Sequence, residues 1–285
     1  MRRSILPLLL LAYALSGCTA EKPAATASAP AEPDHGAMHS SAPPASTAST
    51  ASAPAPAISF PSASGNASGY LAVPPGSGRK PALIVIQEWW GVNDWVRQQT
   101  DRFAGQGYVA LAVDLYRGRV ATTMEEAHEL SRGLPEDRAV ADLKAAVDYL
   151  SSRPDVDPKR IGVIGWCLGG GYSLALTTND PRIAASVINY GRLVTDHATI
   201  ARIPAPILGN FGADDRGIPP ADVKAFGQAL TAAGKLGDIK ISDGAGHAFM
   251  NPNNKEGYNA AAAEDAWHRI DGFFARTLHA NMPNS

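Results

Sequence analysis

The sequence predicts an α/β fold, a mostly parallel central sheet with helices on both faces. Two observations carry that expectation. Short apolar runs of strand length recur along the chain, and segments with apolar residues at helical spacing separate them. Strands that alternate with helices imply parallel pairing through crossover connections.

Taken in order, the pattern starts to alternate at Ile58. Residues 82–87 (ALIVIQ) read as a buried strand, and residues 94–105 as a helix with Trp95, Val96, Gln99 and Phe103 spread at helical spacing. Residues 108–113 (YVALAV) make a second strand. Pro135 opens a helix whose Ala139, Val140, Leu143, Ala146, Val147 and Leu150 fall in steps of three and four, which marks one buried face. A third strand at 161–166 runs into a helix at 169–176. Strands at 183–189 and 206–211, a helix at 221–233 and a short strand at 238–241 follow. A last helix carries Ala266, Trp267, Ile270, Phe273, Phe274 and Leu278. Residues 58–285 are enough for one such domain.

The first 57 residues are different material. Arg2 and Arg3 precede an apolar stretch from Ile5 to Leu15, the shape of a secretory signal over residues 1–17. LSGC, ending at Cys18, resembles the bacterial lipobox. The resemblance implies cleavage before Cys18 and a lipid on its sulfur; Thr19 in place of Asp favours the outer membrane, facing the periplasm. Residues 18–57 are then the acylated cysteine and a tether rich in Ala, Pro, Ser and Thr, which cannot bury a core. As a coil it would reach roughly 35 Å. His35, Met38 and His39 within it could touch a soft metal, but polar filler is the plainer reading.

Of the 285 residues 45% are hydrophobic and 18% charged, and the formal net charge is -2, which leaves no electrostatic footprint for nucleic acid. The chain has 2 cysteines. If Cys18 is acylated, Cys167 is the sole thiol of the mature protein and an internal disulfide is excluded. A lone thiol in an oxidising compartment calls for a reason.

In parallel sheets ligands bind beyond the carboxyl ends of the strands. The polar residues that follow strands here are Glu88, Asp114, Cys167, Asp214 with Asp215, and His247. Gly165-Trp166-Cys167-Leu168-Gly169 fits a nucleophile elbow with Cys in place of Ser. The strand turns sharply into a helix, so side chains two residues either side of the nucleophile would collide. The helix N-terminus favours thiolate, and the Leu168 N–H is placed to donate to an oxyanion. A structural cysteine beside a Gly-rich turn is the plain alternative. A phosphate cradle is the other, but the Gly-Lys-Ser/Thr ending is missing. A base that comes last in chain order selects His247; His128 and His197 come too early, and His268 and His279 sit on the last helix. In GADDRGIPP, Asp215 takes the acid position and Asp214 the turn.

Residues 87–119, GWCLGGG, the Asp215 turn and GHAF together resemble the dienelactone hydrolases, of the α/β-hydrolase fold, over roughly residues 65–280. The resemblance implies a Cys167–Asp215–His247 triad. It gives Glu88 control of the thiol's protonation and the Trp89 N–H the role of second oxyanion donor. It implies two substrate-holding arginines. Arg117 and Arg119 are candidates for one; Asn251 stands where the other belongs, which weakens the case for an anionic lactone. Trp90 either lines an aromatic pocket or packs in the core.

The function expected is cysteine-dependent hydrolysis of carboxylic esters or lactones through a thioester, carboxymethylenebutenolidase-like and without metal or organic cofactor. The partners expected are a small-molecule ester or lactone and, through Cys18, a membrane; a monomer that binds no nucleic acid is expected. The alternatives are a broad carboxylesterase or acyltransferase using the same residues, and a non-catalytic binding lipoprotein on the same scaffold. A thiol-redox protein is disfavoured by the absence of a resolving cysteine.

Overall fold

The computed structural model describes residues 57–279, and the signal, Cys18, His35, Met38 and His39 lie outside them. Eight strands form one sheet: β1 (Ala57–Ser62), β2 (Gly65–Ala72), β3 (Lys80–Ile86), β4 (Val109–Val113), β5 (Val156–Trp166), β6 (Ile183–Asn189), β7 (Ile207–Gly212) and β8 (Gly237–Ser242). Their spatial order is β1-β2-β4-β3-β5-β6-β7-β8. The β1–β2 hairpin pairs antiparallel and joins β4 antiparallel; every other pairing is parallel.

Both faces of the inner strands are covered, which explains their unbroken apolar runs. Leu83 and Val85 of β3 pack with Trp95 and Phe103 of α1 (Asp94–Gly105) and with Ile270 and Phe274 of α7 (Ala260–Phe274). On the opposite face, Ile84 and Ile86 meet Leu143, Val147 and Leu150 of α3 (Glu136–Ser152). α4 (Leu168–Asn179) and α6 (Pro220–Ala232) extend this second layer over β6 and β7. The expected bounds of α1 and β6 coincide with those observed.

Three elements go beyond the expectation. The β1–β2 hairpin is rich in Gly, Ser and Ala, and is held by pairing with β4. α2 (Met124–Arg132) buries only Ala127 and Leu130 and owes its start to its caps: Thr123 accepts from the Glu126 N–H at 3.2 Å, and Glu126 accepts from the Thr122 N–H at 2.7 Å. α5 (His197–Ala201) is one short turn opened by Asp196. β5 also starts earlier than its apolar run, because Val156 pairs with Lys80 across a register shift.

A buried carboxylate ties the hairpin to the second layer. Asp142 sits fully buried on α3; it accepts from the Ser64 hydroxyl at 2.7 Å and, through both carboxylate oxygens, from Arg117 Nη2 at 2.8 and 2.9 Å. This corrects the expectation for Arg117: its guanidinium is spent on a structural clasp.

The chain leaves β3 toward β4 on one side and returns to β5 on the other. The sheet therefore changes winding direction between β3 and β5, and a crevice opens beyond their carboxyl ends. Glu88 and Cys167 follow those two ends.

Removing the buried anion leaves Arg117 without its partner. Asp142→Ala is expected to lower the unfolding free energy by about 2–4 kcal/mol, seen as an earlier urea midpoint at unchanged slope. Gly227→Ala in α6, where a Cβ meets nothing within 4 Å, is expected to raise it by about 0.5–1 kcal/mol.

Candidate active site

Cys167 is the cap residue between β5 and α4, with φ 55 and ψ -116. Its backbone N–H is held by the Asn189 carbonyl at 3.0 Å. The turn leaves no room for side chains. A Cβ on Gly165 would lie 2.1 Å from the Gly169 oxygen, and one on Gly169 would lie 2.3 Å from the Ile86 oxygen. The first turn of α4 is thus pressed against the end of β3. Leu168 is the first helical residue, so its N–H has no partner within the helix. The Trp89 N–H, just past β3, finds no acceptor among the described residues.

The acid and base meet from two later loops. His247 Nδ1 contacts Asp215 Oδ2 at 2.7 Å. The other Asp215 oxygen accepts from the Gly217 and Ile218 N–H groups at 2.8 and 3.0 Å, which fixes the carboxylate. Asp214 is exposed. Burial pushes Asp215 up, but the hydrogen-bonded and charged His247 ring outweighs it and holds the carboxyl below its usual range. Burial likewise pulls His247 down. The Asp215 hydrogen bond and then the adjacent Cys167 sulfur overcome that, and the ring is pushed up to about 10. His247 and Cys167 line one pocket of ≈ 380 Å³. A larger groove of ≈ 550 Å³ between α6 and β8 contains none of the candidate catalytic groups.

Glu88 lies beneath this pair, 2% exposed. Asn251 donates to its Oε2 at 2.7 Å and the Tyr190 hydroxyl to its Oε1 at 3.4 Å. Burial pushes Glu88 up to about 7, opposed by those hydrogen bonds and by His247. Tyr190 was not anticipated. It follows β6 as Glu88 follows β3, so the same strand-end rule, applied to an aromatic hydroxyl, points to it. Its ring stands edge-on to His247 with centroids 5.3 Å apart, and burial drives its hydroxyl well above the usual range, so it stays a donor. Three of the four non-glycine residues with positive φ among the described residues, Cys167, Tyr190 and Ala248, lie at this site.

The structure does not bring the expected substrate-binding residues to the pocket. Asn251 is buried, with its amide on Glu88 and its oxygen on the Asn253 N–H at 2.9 Å. Arg119 pairs with Glu129 at the surface at 3.3 Å. Trp90 packs edge-on to Trp89, whose other neighbour is His128 of α2. The pocket is lined instead by Ser131, Leu134, Glu136, Tyr172, Arg192 and Ile218 around Cys167 and His247.

Comparison with known proteins identifies the family. The model of the "Dienelactone hydrolase family" matches residues 67–278. The chain belongs to the dienelactone hydrolase family. It is accordingly an enzyme, a carboxylic ester or lactone hydrolase on the α/β-hydrolase fold. A Methylorubrum extorquens relative described as "Putative carboxymethylenebutenolidase" is 33% identical over 231 residues, 76% of this chain and 79% of the relative. The crystal structure of a "Putative Dienelactone Hydrolase" from Klebsiella pneumoniae superposes with a TM-score of 0.71 at 30% identity, over 78% of this chain and 98% of that one. A Thermogutta terrifontis esterase shares the fold, with a TM-score of 0.60 at 18% identity, over 80% of this chain and 95% of that one.

The buried Glu88 has a consequence for stability. The unfolded chain ionises it near pH 4.5, whereas the folded protein holds the proton to about 7. Its contribution is complete below pH 4.5 and is lost as pH rises through about 7. Glu88→Gln keeps the shape without the charge. It is expected to gain about 3 kcal/mol on the parent between about pH 4 and pH 8, read from urea unfolding; a pH-independent difference would contradict this.

Proposed function

We propose that this hydrolase is cysteine-dependent and works through a thioester on Cys167. The observation that carries the reading is the 2.7 Å contact of His247 with a backbone-anchored Asp215, in the pocket that Cys167 lines. His247 takes the thiol proton, and the ion pair persists because Asp215 supports the imidazolium. The thiolate attacks the ester or lactone carbonyl, and its electron pair forms the C–S bond while the carbonyl π pair moves onto oxygen. The Trp89 and Leu168 N–H groups hold that oxyanion. The C–O bond then breaks, and His247 returns its proton to the departing alkoxide, which in a lactone stays tethered to the acyl chain. His247 next takes a proton from water, hydroxide attacks the thioester, and the C–S bond breaks to release the acid and the thiolate. No step calls on a metal or organic cofactor.

The substrate class that fits is a neutral, activated ester or lactone. Arg117 and Arg119 are paired with Asp142 and Glu129 and position 251 carries Asn bound to Glu88, so none of the three anticipated residues offers the pocket a cation, and Arg192 in its lining is paired with Glu136. Thiolate is a good leaving group, and stable enolate or phenolate leaving groups compete best with it.

With purified residues 58–285 and a chromogenic acetate ester, Cys167→Ala is expected to lower kcat/KM by about 10³-fold or more, and Asp215→Asn by about 10²–10⁴-fold. Unchanged turnover by Cys167→Ala sinks the thioester reading.

We also propose export and lipid anchoring at Cys18, on the outer membrane facing the periplasm. The support is the charged and apolar leader that ends in LSGC, followed by Thr19. Mass spectrometry of the protein from a Gram-negative host is expected to find residues 1–17 removed and Cys18 carrying a diacylglyceryl thioether. An unmodified Cys18 would overturn the anchor.

A further inference from the structure

The pocket is a trench with direction. Leu168, Gly171, Tyr172 and Ala175 line it at helical spacing, so one face of α4 forms its floor. From Leu168 to Ala175 that floor runs about 10 Å. On the thioester reading, His247 has to reach the leaving oxygen, which puts the leaving group on its side and leaves the α4 floor to the acyl chain.

Part-way along stands an ion pair. Arg192 follows β6, and its backbone passes beside α4: a Cβ on Gly171 would lie 3.4 Å from both Arg192 Cβ and its nitrogen. Gly171 is about 5 Å along the helix from Leu168. Glu136, the first residue of α3, reaches Arg192 from the other wall at 3.5 Å. Tyr172 on the floor senses both: burial first and Glu136 next push its phenol up, while Arg192 opposes them. Arg192 and Glu136 are 77% and 65% exposed, so the pair is weak and salt-sensitive, and it opens at little cost.

We propose that Glu136 and Arg192 form a bar across the acyl trench that sets the chain length this enzyme prefers. This rests on the thioester reading above. Short acyl groups fit between Cys167 and the bar. Longer apolar ones must displace it to reach Ala175 and Leu134. The pair neutralises itself, so it selects by length and not by charge.

The test is the ratio of kcat/KM for nitrophenyl octanoate over nitrophenyl acetate. Glu136→Gln and Arg192→Gln are each expected to raise that ratio about 2- to 5-fold. The exchange Glu136→Arg with Arg192→Glu is expected to restore the parent value. Added sodium chloride is expected to raise the ratio in the parent and leave it flat in both single variants. An unchanged ratio in the single variants, or opposite changes in the two, overturns the bar. Acetate turnover that survives Cys167→Ala instead overturns the thioester reading.

Discussion

The site depends on a contact between bare backbones. The strand before Cys167 and the helix after it approach so closely that Gly165 and Gly169 leave no space for a methyl group. The same helix turn touches the end of β3 through Gly169, and the loop after β6 through Gly170 and Gly191. Three strand ends are thereby locked at fixed offsets around one sulfur. The strained φ of Cys167 is the local cost, and the surrounding sheet, buried on both faces, supplies the rigidity that holds it.

On that frame the electrostatics divide into two levels. The upper level is charged and partly open to water, with His247 between Asp215 and the thiol. The lower level is closed, and its one ionisable carboxyl, Glu88, is served by an amide and a phenol. Neither partner of Glu88 carries charge, so desolvation prevails and the carboxyl resists ionisation. An arginine at position 251 would reverse that balance. Asn251 therefore alters the site even though it does not touch the pocket.

Much of this was legible in the sequence, and the gaps have physical reasons. Periodicity located the inner strands and α1, because burial on one or both faces imposes a regular pattern. It overlooked the β1–β2 hairpin and α2, whose stability comes from pairing and capping rather than from an apolar stripe. Spacing around Cys167 exposed the elbow, since the steric demand is local. The arginine assignment failed because a motif position does not reveal a partner distant in the chain. A signal was present: Asp142 lies among Ala139, Leu143 and Ala146 on the buried stripe of α3, and a carboxylate there requires a cation. Glu136 and Arg192 left no such trace, as exposed charges follow no pattern until the fold sets them face to face.

The Glu88 niche has a wider consequence. A carboxyl whose proton is half held near neutrality is an internal buffer, and it contacts Tyr190, whose ring stands against His247. Filling or emptying it moves one unit of charge inside the protein. The charge beneath the pocket therefore follows the acidity of the medium.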